Sequence, residues 1–454
     1  MLKTALRRAI LILTALCLCV PAWAQGGSYA VQLAGGALLV DPDGNELTQR
    51  GEYGALYELY GLPDGLGLYA GEAAVGESAG YALVNAQGEA MTEFAYQSLE
   101  YDKGWILFRQ GGRMGAMDAE GGVILEPVYT ALAATGSGGW LAQKTDPYDD
   151  SPDMVYLVDE DGTERETGLR IASGLGTVSG GLCPAVSADN GRIGYIGVDG
   201  TWAIEPQYEW ADAFSGGFAV ASTASGTGLL AADGRWAIGP KYEYLSYEAG
   251  GLAVCGAGDT LELVDAESGS TVAVYREAGV YGYSSPGGMA VVMLGGRAVA
   301  VDRTGREILS LEACRTFSQW VGMTEHAVAY MGGFGQPGAY LYRMDGNCLA
   351  GPYQDVMPLG MMDGQMYYMY TQFETVETVY PDLGVSLWDE VPGTRRCGVL
   401  SPDGETLCEL AAAYITYLGE DRVLIEQEGG AMMANFSGGM IKQFEAFGAE
   451  DEKE

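Results

Sequence analysis

Residues 193–204 read Ile-Gly-Tyr-Ile-Gly-Val-Asp-Gly-Thr-Trp-Ala-Ile, two short apolar segments joined at Asp199-Gly200. An Asp-Gly pair between two apolar runs is a strong signal for a β-hairpin. The pattern recurs along the chain, with turn glycines at Gly44, Gly88, Gly121, Gly162, Gly200, Gly234, Gly269, Gly305, Gly346, Gly404 and Gly438. Successive glycines are 33 to 44 residues apart, except for one interval of 58. Such a period predicts a tandem array of about eleven small supersecondary units.

Each unit contains at least three apolar segments. A run that opens after a glycine, such as residues 218–221, predicts strand A, residues 193–196 represent strand B, and residues 201–204 beyond the turn represent strand C. Prolines just past strand C are expected to end its pairing; they are Pro127, Pro206, Pro240 and Pro352. The fold class predicted is therefore all-β, built from three-to-four-stranded antiparallel units.

One unit of this size cannot bury both faces of its sheet, so neighbouring units must stack and share a core. The pattern allows either an open, superhelical array or propeller-like closure. Eleven units exceed an ordinary propeller ring, which slightly favours the open form.

The N-terminus has the features of a secretory leader. Three basic residues within the first eight precede an apolar run at 9–20, and Ala22-Trp23-Ala24 provides a small-x-small cleavage site before Gln25. We expect a signal peptide over 1–24, the repeat array over 25–448 and an acidic tail over 449–454. The mature protein is expected to be secreted, periplasmic or at the cell surface, with no membrane insertion after cleavage.

The chain is strongly acidic. It has 61 Asp and Glu residues against 24 Lys and Arg, a net charge of −37. Because phosphate backbones and anionic lipids would be repelled, we expect no nucleic-acid partner and no membrane-surface partner. Its 70 glycines agree with one or two turns per repeat, since glycine adopts positive φ without steric cost.

Residues 192–208, followed by residues 214–220, resemble the bacterial WG-containing repeat. That family's pattern is roughly Trp-Gly-Tyr-Ile-Asp, two residues, Gly, three apolar residues, Pro, two residues and Tyr, then Phe-x-x-Gly-Leu-Ala. Residues 113–129 and 227–254 match nearly as well, so the best-matching repeats span 113–255, and 351–353 and 396–400 match in part.

The first Trp of the motif is replaced in every copy, by Met114, Ile193, Thr227 and Cys397. The resemblance implies an architectural repeat of exported and cell-surface bacterial proteins, without a shared catalytic residue.

Three insertions break the period, at 144–153, 332–338 and 371–395. All three lie between strand A and strand B, so in a stacked array they would project from one face. The longest is aromatic and acidic. We predict a ligand- or partner-binding surface there; its residues are Tyr148, Asp149, Phe373, Tyr380 and Trp388. The alternative is that Tyr380 and Trp388 only pin the long loop to the sheet.

The sequence gives little support for a metal site or a catalytic site. Residues 41–46 and 159–162 hold fragments of an acidic Ca²⁺ loop without its full alternating series, so the Asp side chains are interpreted as turn formers. The single histidine, His326, is expected to be a surface turn variant. No metal site, cofactor or catalytic residue is predicted, although a glycan hydrolase is a remaining alternative.

Six cysteines follow the leader, at Cys183, Cys255, Cys314, Cys348, Cys397 and Cys408. If residues 401–404 form a four-residue hairpin loop, then Cys397 and Cys408 lie directly opposite on strands B and C. A cross-strand disulfide between them is therefore expected.

The function predicted is non-enzymatic binding or scaffolding. The partner would be a glycan or a protein of the cell envelope, recognised through the insertion loops. A purely structural repeat spacer is the second interpretation.

Overall fold

The computed structural model describes residues 27–446 except 64–65, 74–79, 146–152, 173, 278, 286–287, 319–324, 332–336, 381–384, 412–413 and 428–429, and for residues 378–380, 385–387 and 427 it describes the backbone alone. The predicted leader (1–24), the predicted tail (449–454) and both Tyr148 and Asp149 lie outside the described residues. Within this part of the chain, every regular element is a strand, and no helix is long and apolar enough to cross a membrane.

Forty-two strands of the described chain form ten antiparallel sheets and one separate hairpin, and the sheets are arranged as a ten-bladed β-propeller. Blade 1 contains β1 (Tyr29–Leu33), β2 (Gly36–Val40), β3 (Tyr53–Glu58), β4 (Leu68–Ala73) and β5 (Tyr81–Asn85). Blade 2 contains β6 (Ser98–Asp102), β7 (Trp105–Gln110), β8 (Arg113–Met117) and β9 (Val123–Tyr129). Blade 3 contains β10 (Ala131–Ala134), β11 (Trp140–Lys144), β12 (Asp153–Val158) and β13 (Glu164–Ile171).

Blade 4 contains β14 (Leu182–Val186), β15 (Ile193–Gly197) and β16 (Trp202–Tyr208). Blade 5 contains β17 (Trp210–Ala211), β18 (Phe218–Thr223), β19 (Gly226–Ala231) and β20 (Trp236–Tyr242). Blade 6 contains β21 (Tyr244–Ser246), β22 (Leu252–Ala257), β23 (Thr260–Asp265) and β24 (Thr271–Arg276). Blade 7 contains β25 (Tyr281–Ser285), β26 (Met289–Leu294), β27 (Arg297–Val301) and β28 (Glu307–Leu311).

Blade 8 contains β29 (Cys314–Ser318), β30 (His326–Met331), β31 (Ala339–Arg343) and β32 (Cys348–Tyr353). Blade 9 contains β33 (Asp355–Met362), β34 (Gln365–Gln372), β37 (Arg396–Leu400) and β38 (Thr406–Leu410), and the hairpin of β35 (Thr375–Tyr380) and β36 (Val385–Glu390) is inserted between β34 and β37. Blade 10 contains β39 (Tyr414–Gly419), β40 (Arg422–Gln427), β41 (Gly430–Asn435) and β42 (Met440–Glu445). The all-β prediction is confirmed, and the period of about eleven corresponds to ten blades because blade 1 carries two turn glycines.

The turn of each repeat is the predicted hairpin. In blade 7 the amide of Gly305 donates to the carbonyl of Asp302 (2.9 Å), and the Asp302 carboxylate accepts from the amide of Thr304 (2.9 Å). In blade 1 the Asp41 carboxylate accepts from the amides of Asp43 and Asn45 in the same way. The interpretation of these Asp side chains as turn formers is therefore confirmed for these turns.

The sequence analysis expected the prolines to end the pairing of strand C, but the strand pairs on beyond them. In blade 4, Ile193 of β15 pairs with Tyr208 of β16 and Tyr195 pairs with Ile204, so β16 has two extra residues between these pairs and bulges at Pro206. A β-carbon on Gly194 of β15 would lie 2.7 Å from the carbonyl oxygen of Ile204. The repeat glycine thus leaves room for the bulge, and the strand pairs again beyond the proline because its edge position tolerates the missing N–H.

The hydrophobic core is divided into clusters that each join neighbouring units. Leu125 and Tyr129 of blade 2 pack with Leu132 and Trp140 of blade 3, for example. Two of the buried tyrosines that follow a bulge also bond to the next blade, since the hydroxyl of Tyr129 donates to Glu164 (2.5 Å) and that of Tyr242 donates to Glu262 (2.6 Å). Stacking therefore buries the faces that a single sheet would expose.

The ring is closed, and the slight preference for an open array was wrong. Val31 and Leu38 of blade 1 share one buried cluster with Leu424 and Phe444 of blade 10. At this seam the Arg422 guanidinium donates from Nε to the carbonyl of Pro42 (3.2 Å) and Arg50 donates to the carbonyl of Glu445 (3.1 Å). The terminal repeats thus cover each other, which removes the exposed hydrophobic ends of an open array.

Two further predictions are corrected by the register. Cys397 pairs with Leu410 and Cys408 with Val399, because a register shift follows Val399, so the two thiols are not opposite each other. All six cysteines after the predicted leader are thiols that are not joined in disulfides.

His326 is also misplaced by the sequence analysis, because it is 7 % exposed rather than a surface turn residue. It is the first residue of β30, the place that Met289 takes in β26, and its ring meets that of Tyr368 edge-on at 5.6 Å. Burial, and then the charge of Arg343, lowers the pKa of this imidazole.

Candidate functional site

The predicted insertions fall on equivalent connections of three blades. They join β11 to β12, β30 to β31 and β34 to β37, which in every case connects the second strand of a blade to the third. In blade 1, which has five strands, the connection between β4 and β5 corresponds to these, because β3, β4 and β5 follow one another as the first three strands of the other blades do. Since the blades repeat one topology around the ring, these connections form one edge, which we call the insertion face.

The longest insertion folds into the β35–β36 hairpin. The side-chain amide of Gln354 fixes its base, donating to the carbonyl of Phe373 (2.6 Å) while its oxygen accepts from the amide of the same residue (3.0 Å). The amide of Glu374 donates to the Thr394 hydroxyl (3.0 Å), and the Val391 amide donates to the Glu374 carbonyl (2.9 Å). The hairpin is therefore held to blade 9 by polar contacts at both strands.

The hairpin forms one wall of a cavity of about 630 Å³ between blades 8, 9 and 10, which we call the hairpin groove. Its size falls in the range of small-molecule sites, roughly 300–1,000 Å³. The lining is Arg315, Thr316, Ser318, Tyr330, Gly338, Gln354, Asp355, Met357, Met369, Thr371, Phe373, Trp388, Glu390, Arg395 and Tyr414.

Two of the predicted site residues meet in this groove. Phe373 and Trp388 both line it, and both side chains are partly buried. Tyr380 lies at the far end of β35, where its backbone pairs with Val385, and its side chain is outside the described residues. The structure does not describe Tyr148 or Asp149, the predicted contribution of blade 3.

The charges of the groove are arranged in pairs. Arg395 donates from Nε to both carboxylate oxygens of Glu390 (3.0 and 3.2 Å), and its guanidinium lies over the Phe373 ring, 4.7 Å from the centroid. The carboxylate raises the pKa of Arg395. Glu390 and Arg395 thus form a fixed, neutral pair that also holds an aromatic ring.

The second pair joins blade 8 to blade 9. The hydroxyl of Tyr330 donates to Oδ1 of Asp355, which also accepts from the amide of Val356 (2.9 Å). Burial raises the pKa of Asp355, although these two hydrogen bonds act in the opposite direction. Burial and the neighbouring carboxylate raise the pKa of Tyr330, so this phenol stays protonated as a donor.

Sequence reasoning missed Asp355, Tyr330 and Gln354. Gln354 and Asp355 directly follow the repeat tyrosine Tyr353, where the chain passes from one blade to the next. The sequence analysis did not find these residues because it did not identify the first strand of the blade. The start of that strand lies beside the insertion face.

A second cavity of about 680 Å³ lies near the seam. Its wall includes Asp363 and Gly364, in the turn between β33 and β34, and Glu420 and Asp421, in the turn between β39 and β40. Turns between first and second strands lie at the opposite end of the blades from the insertion face. The Tyr417 hydroxyl bridges this cavity's walls by bonding to the carbonyl of Met361 (3.0 Å).

Comparison with known families agrees with the repeat. Residues 193–223 match the family model described as WG containing repeat, which supports a WG repeat protein. No curated protein matches the sequence.

Among solved structures, a eukaryotic initiation factor aligns at 8% identity over 93% of this chain and 97% of its own, with a TM-score of 0.46. BamB from Moraxella catarrhalis aligns at 11% identity over 68% and 94% (TM-score 0.28), and AztD from Citrobacter koseri at 10% over 93% and 94% (TM-score 0.29). At these scores the alignments carry no argument about function.

Proposed function

We propose that this protein is an exported, non-enzymatic binding propeller that recognises a glycan or a protein of the cell envelope through the hairpin groove. The observation that carries the proposal is the meeting of Phe373 and Trp388, from the longest insertion, in a groove with fixed polar side chains. Export is supported by the leader pattern at 1–24.

Binding is favoured over catalysis by the state of the groove's carboxylates. Glu390 is paired with Arg395, and Asp355 accepts from Tyr330. General acid–base catalysis needs a carboxyl group that can exchange a proton with a substrate. Here both groups are engaged in holding the walls of the groove, which suits recognition.

Trp388 provides the test. Replacing it with alanine removes an aromatic wall, so binding should fall at least tenfold while the melting temperature changes little. Val376, which is 52 % exposed and pairs with Asp389 on the other face of the hairpin, provides the matched control Val376→Ala.

The mature protein and both variants would be titrated against a glycan panel and against fractionated cell-envelope proteins. Equal binding by wild type and Trp388→Ala would refute the groove as the site. A large drop in melting temperature for Trp388→Ala would instead identify the ring as a packing group and favour the structural spacer. Turnover of a panel glycan would favour the hydrolase.

A further inference from the structure

Three large aromatic side chains occupy one equivalent, exposed position in consecutive blades. Trp210, Tyr244 and Tyr281 are the first residues of the first strands of blades 5, 6 and 7. Each pairs with the penultimate residue of its second strand, Ser222, Gly256 and Met293 respectively. Their exposed fractions are 49, 37 and 51 %, which is high for side chains of this size.

Strand alternation explains why these rings face outward from the shared core. The next residue in blade 6, Leu245, packs into the cluster between blades 5 and 6. Successive side chains point to opposite faces of a strand, so Tyr244 points away from blade 5 and toward blade 7. There the Gly282 amide bonds to its hydroxyl, which partly offsets the rise in its pKa caused by burial.

The Tyr244 ring also lies directly against the backbone of Gly256. A β-carbon on Gly256 would be 1.9 Å from Cε1 of Tyr244, so only glycine permits this contact. Because the ring is fixed on one side and exposed in part on the other, it is a preorganised platform that loses little side-chain entropy on binding.

The same position leads into the hairpin groove. In blade 8 it is taken by Thr316, which pairs with the penultimate Tyr330, and in blade 9 by Asp355, which pairs with Thr371. All four of these residues line the groove. Five consecutive blades therefore place equivalent residues along the insertion face, about 10 Å apart if they follow the usual spacing of stacked sheets.

We propose that Trp210, Tyr244 and Tyr281 form an aromatic track that continues the hairpin groove and binds an extended, neutral polysaccharide chain. This inference rests on the proposed function and names its ligand class. A sugar ring has an apolar C–H face that packs on an aromatic platform and a rim of hydroxyls that both donate and accept hydrogen bonds.

The charge of the molecule selects a neutral chain. A net charge of −37 repels polyanions, whereas the groove's own charges are paired as Arg395 with Glu390. The donors of Arg395 and the acceptors of Glu390 can bond to the hydroxyls of a sugar without requiring a charged ligand. A proline-rich peptide is the other polymer that aromatic platforms accept, and it is a separate arm of the test.

The test is affinity gel electrophoresis of the mature protein through hydroxyethylcellulose, xyloglucan, galactomannan and mixed-linkage β-glucan, with polygalacturonate and poly-L-proline as the other arms. We expect retardation by at least one neutral polysaccharide and none by polygalacturonate. The combined variant Trp210→Ala, Tyr244→Ala and Tyr281→Ala should weaken that binding about tenfold. Tyr60→Ala is the control, because Tyr60 is 74 % exposed and follows β3, at the end of blade 1 opposite the β4–β5 connection.

Replacing both tyrosines by phenylalanine keeps the rings and the fold, so Tyr244→Phe with Tyr281→Phe should retain binding. Unchanged binding in the alanine variant, with loss in Trp388→Ala, would overturn the track and leave the groove as the site. Retardation by poly-L-proline alone, or by no polymer in the panel, would overturn the polysaccharide class. Protein recognition by the groove, assayed separately against envelope proteins, would survive that result.

Discussion

Gly305 is the most informative residue for the account of the repeat. It has a φ of 83° in the turn of blade 7, and a β-carbon there would lie 2.4 Å from the carbonyl oxygen of Val272 in the fourth strand of blade 6. The turn glycine therefore has two roles, which are to adopt the left-handed conformation and to let one repeat sit against the previous one.

Gly296 separates these roles. It lies in the same blade, between β26 and β27, with a φ of 93° and no atom within 4 Å of a β-carbon. Gly296→Ala should cost only the left-handed conformation, roughly 1–2 kcal/mol. Gly305→Ala should cost that amount plus about 1–3 kcal/mol for the overlap with a backbone oxygen that cannot rotate away.

Urea denaturation followed by circular dichroism would compare the two variants, with hydrogen exchange of residues 271–276 reporting on the interface itself. We expect the midpoint to fall further for Gly305→Ala and exchange in β24 to accelerate in that variant alone. An equal loss of stability in both variants would show that the turn glycine is needed only for its positive φ. The close contact between repeats would then contribute nothing to stability.

Three further predictions concern titratable groups and thiols. Because burial raises the pKa of Asp355 above its ordinary 3.8, the folded state holds its proton to higher pH, and stability should fall as pH rises through that window. Asp355→Asn, which keeps an acceptor for Tyr330, should abolish this fall in a melting-temperature series against pH. For His326 the pKa lies below 6.5, so stability should be lost as pH falls below 6.5. His326→Gln should remove this loss from the plot of melting temperature against pH. Titration of the denatured mature protein should find six free thiols. A count of four would instead support the disulfide between Cys397 and Cys408.

The repeat could be predicted because its signals are local. An Asp-Gly turn such as that at Gly200 needs only a few neighbouring residues to specify a hairpin, and the place of the insertions follows from counting strands on either side. The match to the WG containing repeat at residues 193–223 lies in the same region.

Closure could not be predicted because it depends on a contact between the ends of the chain. The cluster of Val31 and Leu38 with Leu424 and Phe444 has no sequence signal, since every apolar strand offers a similar face. Ring size is likewise set by small rotations between blades that no single repeat encodes.

The first strand of each blade was missed for a different reason. In blade 5 it is only Trp210–Ala211, too short for any alternation to be seen. Because this strand was not identified, the sequence analysis did not include Asp355 in the candidate site. It also did not recognise that Trp210, Tyr244 and Tyr281 are equivalent. His326 was misplaced by one residue of alignment, which exchanges a turn position for a core position.

Hydrogen exchange with and without a bound partner tests the central claim most directly. With the glycan or protein that binds the mature chain in the panel experiments, the account predicts slower exchange in β34, β36 and the start of β37, along the hairpin groove. Peptides over residues 361–364 and 419–421, at the opposite face, should exchange at unchanged rates. Protection confined to that opposite face, with none at the hairpin, would contradict the account.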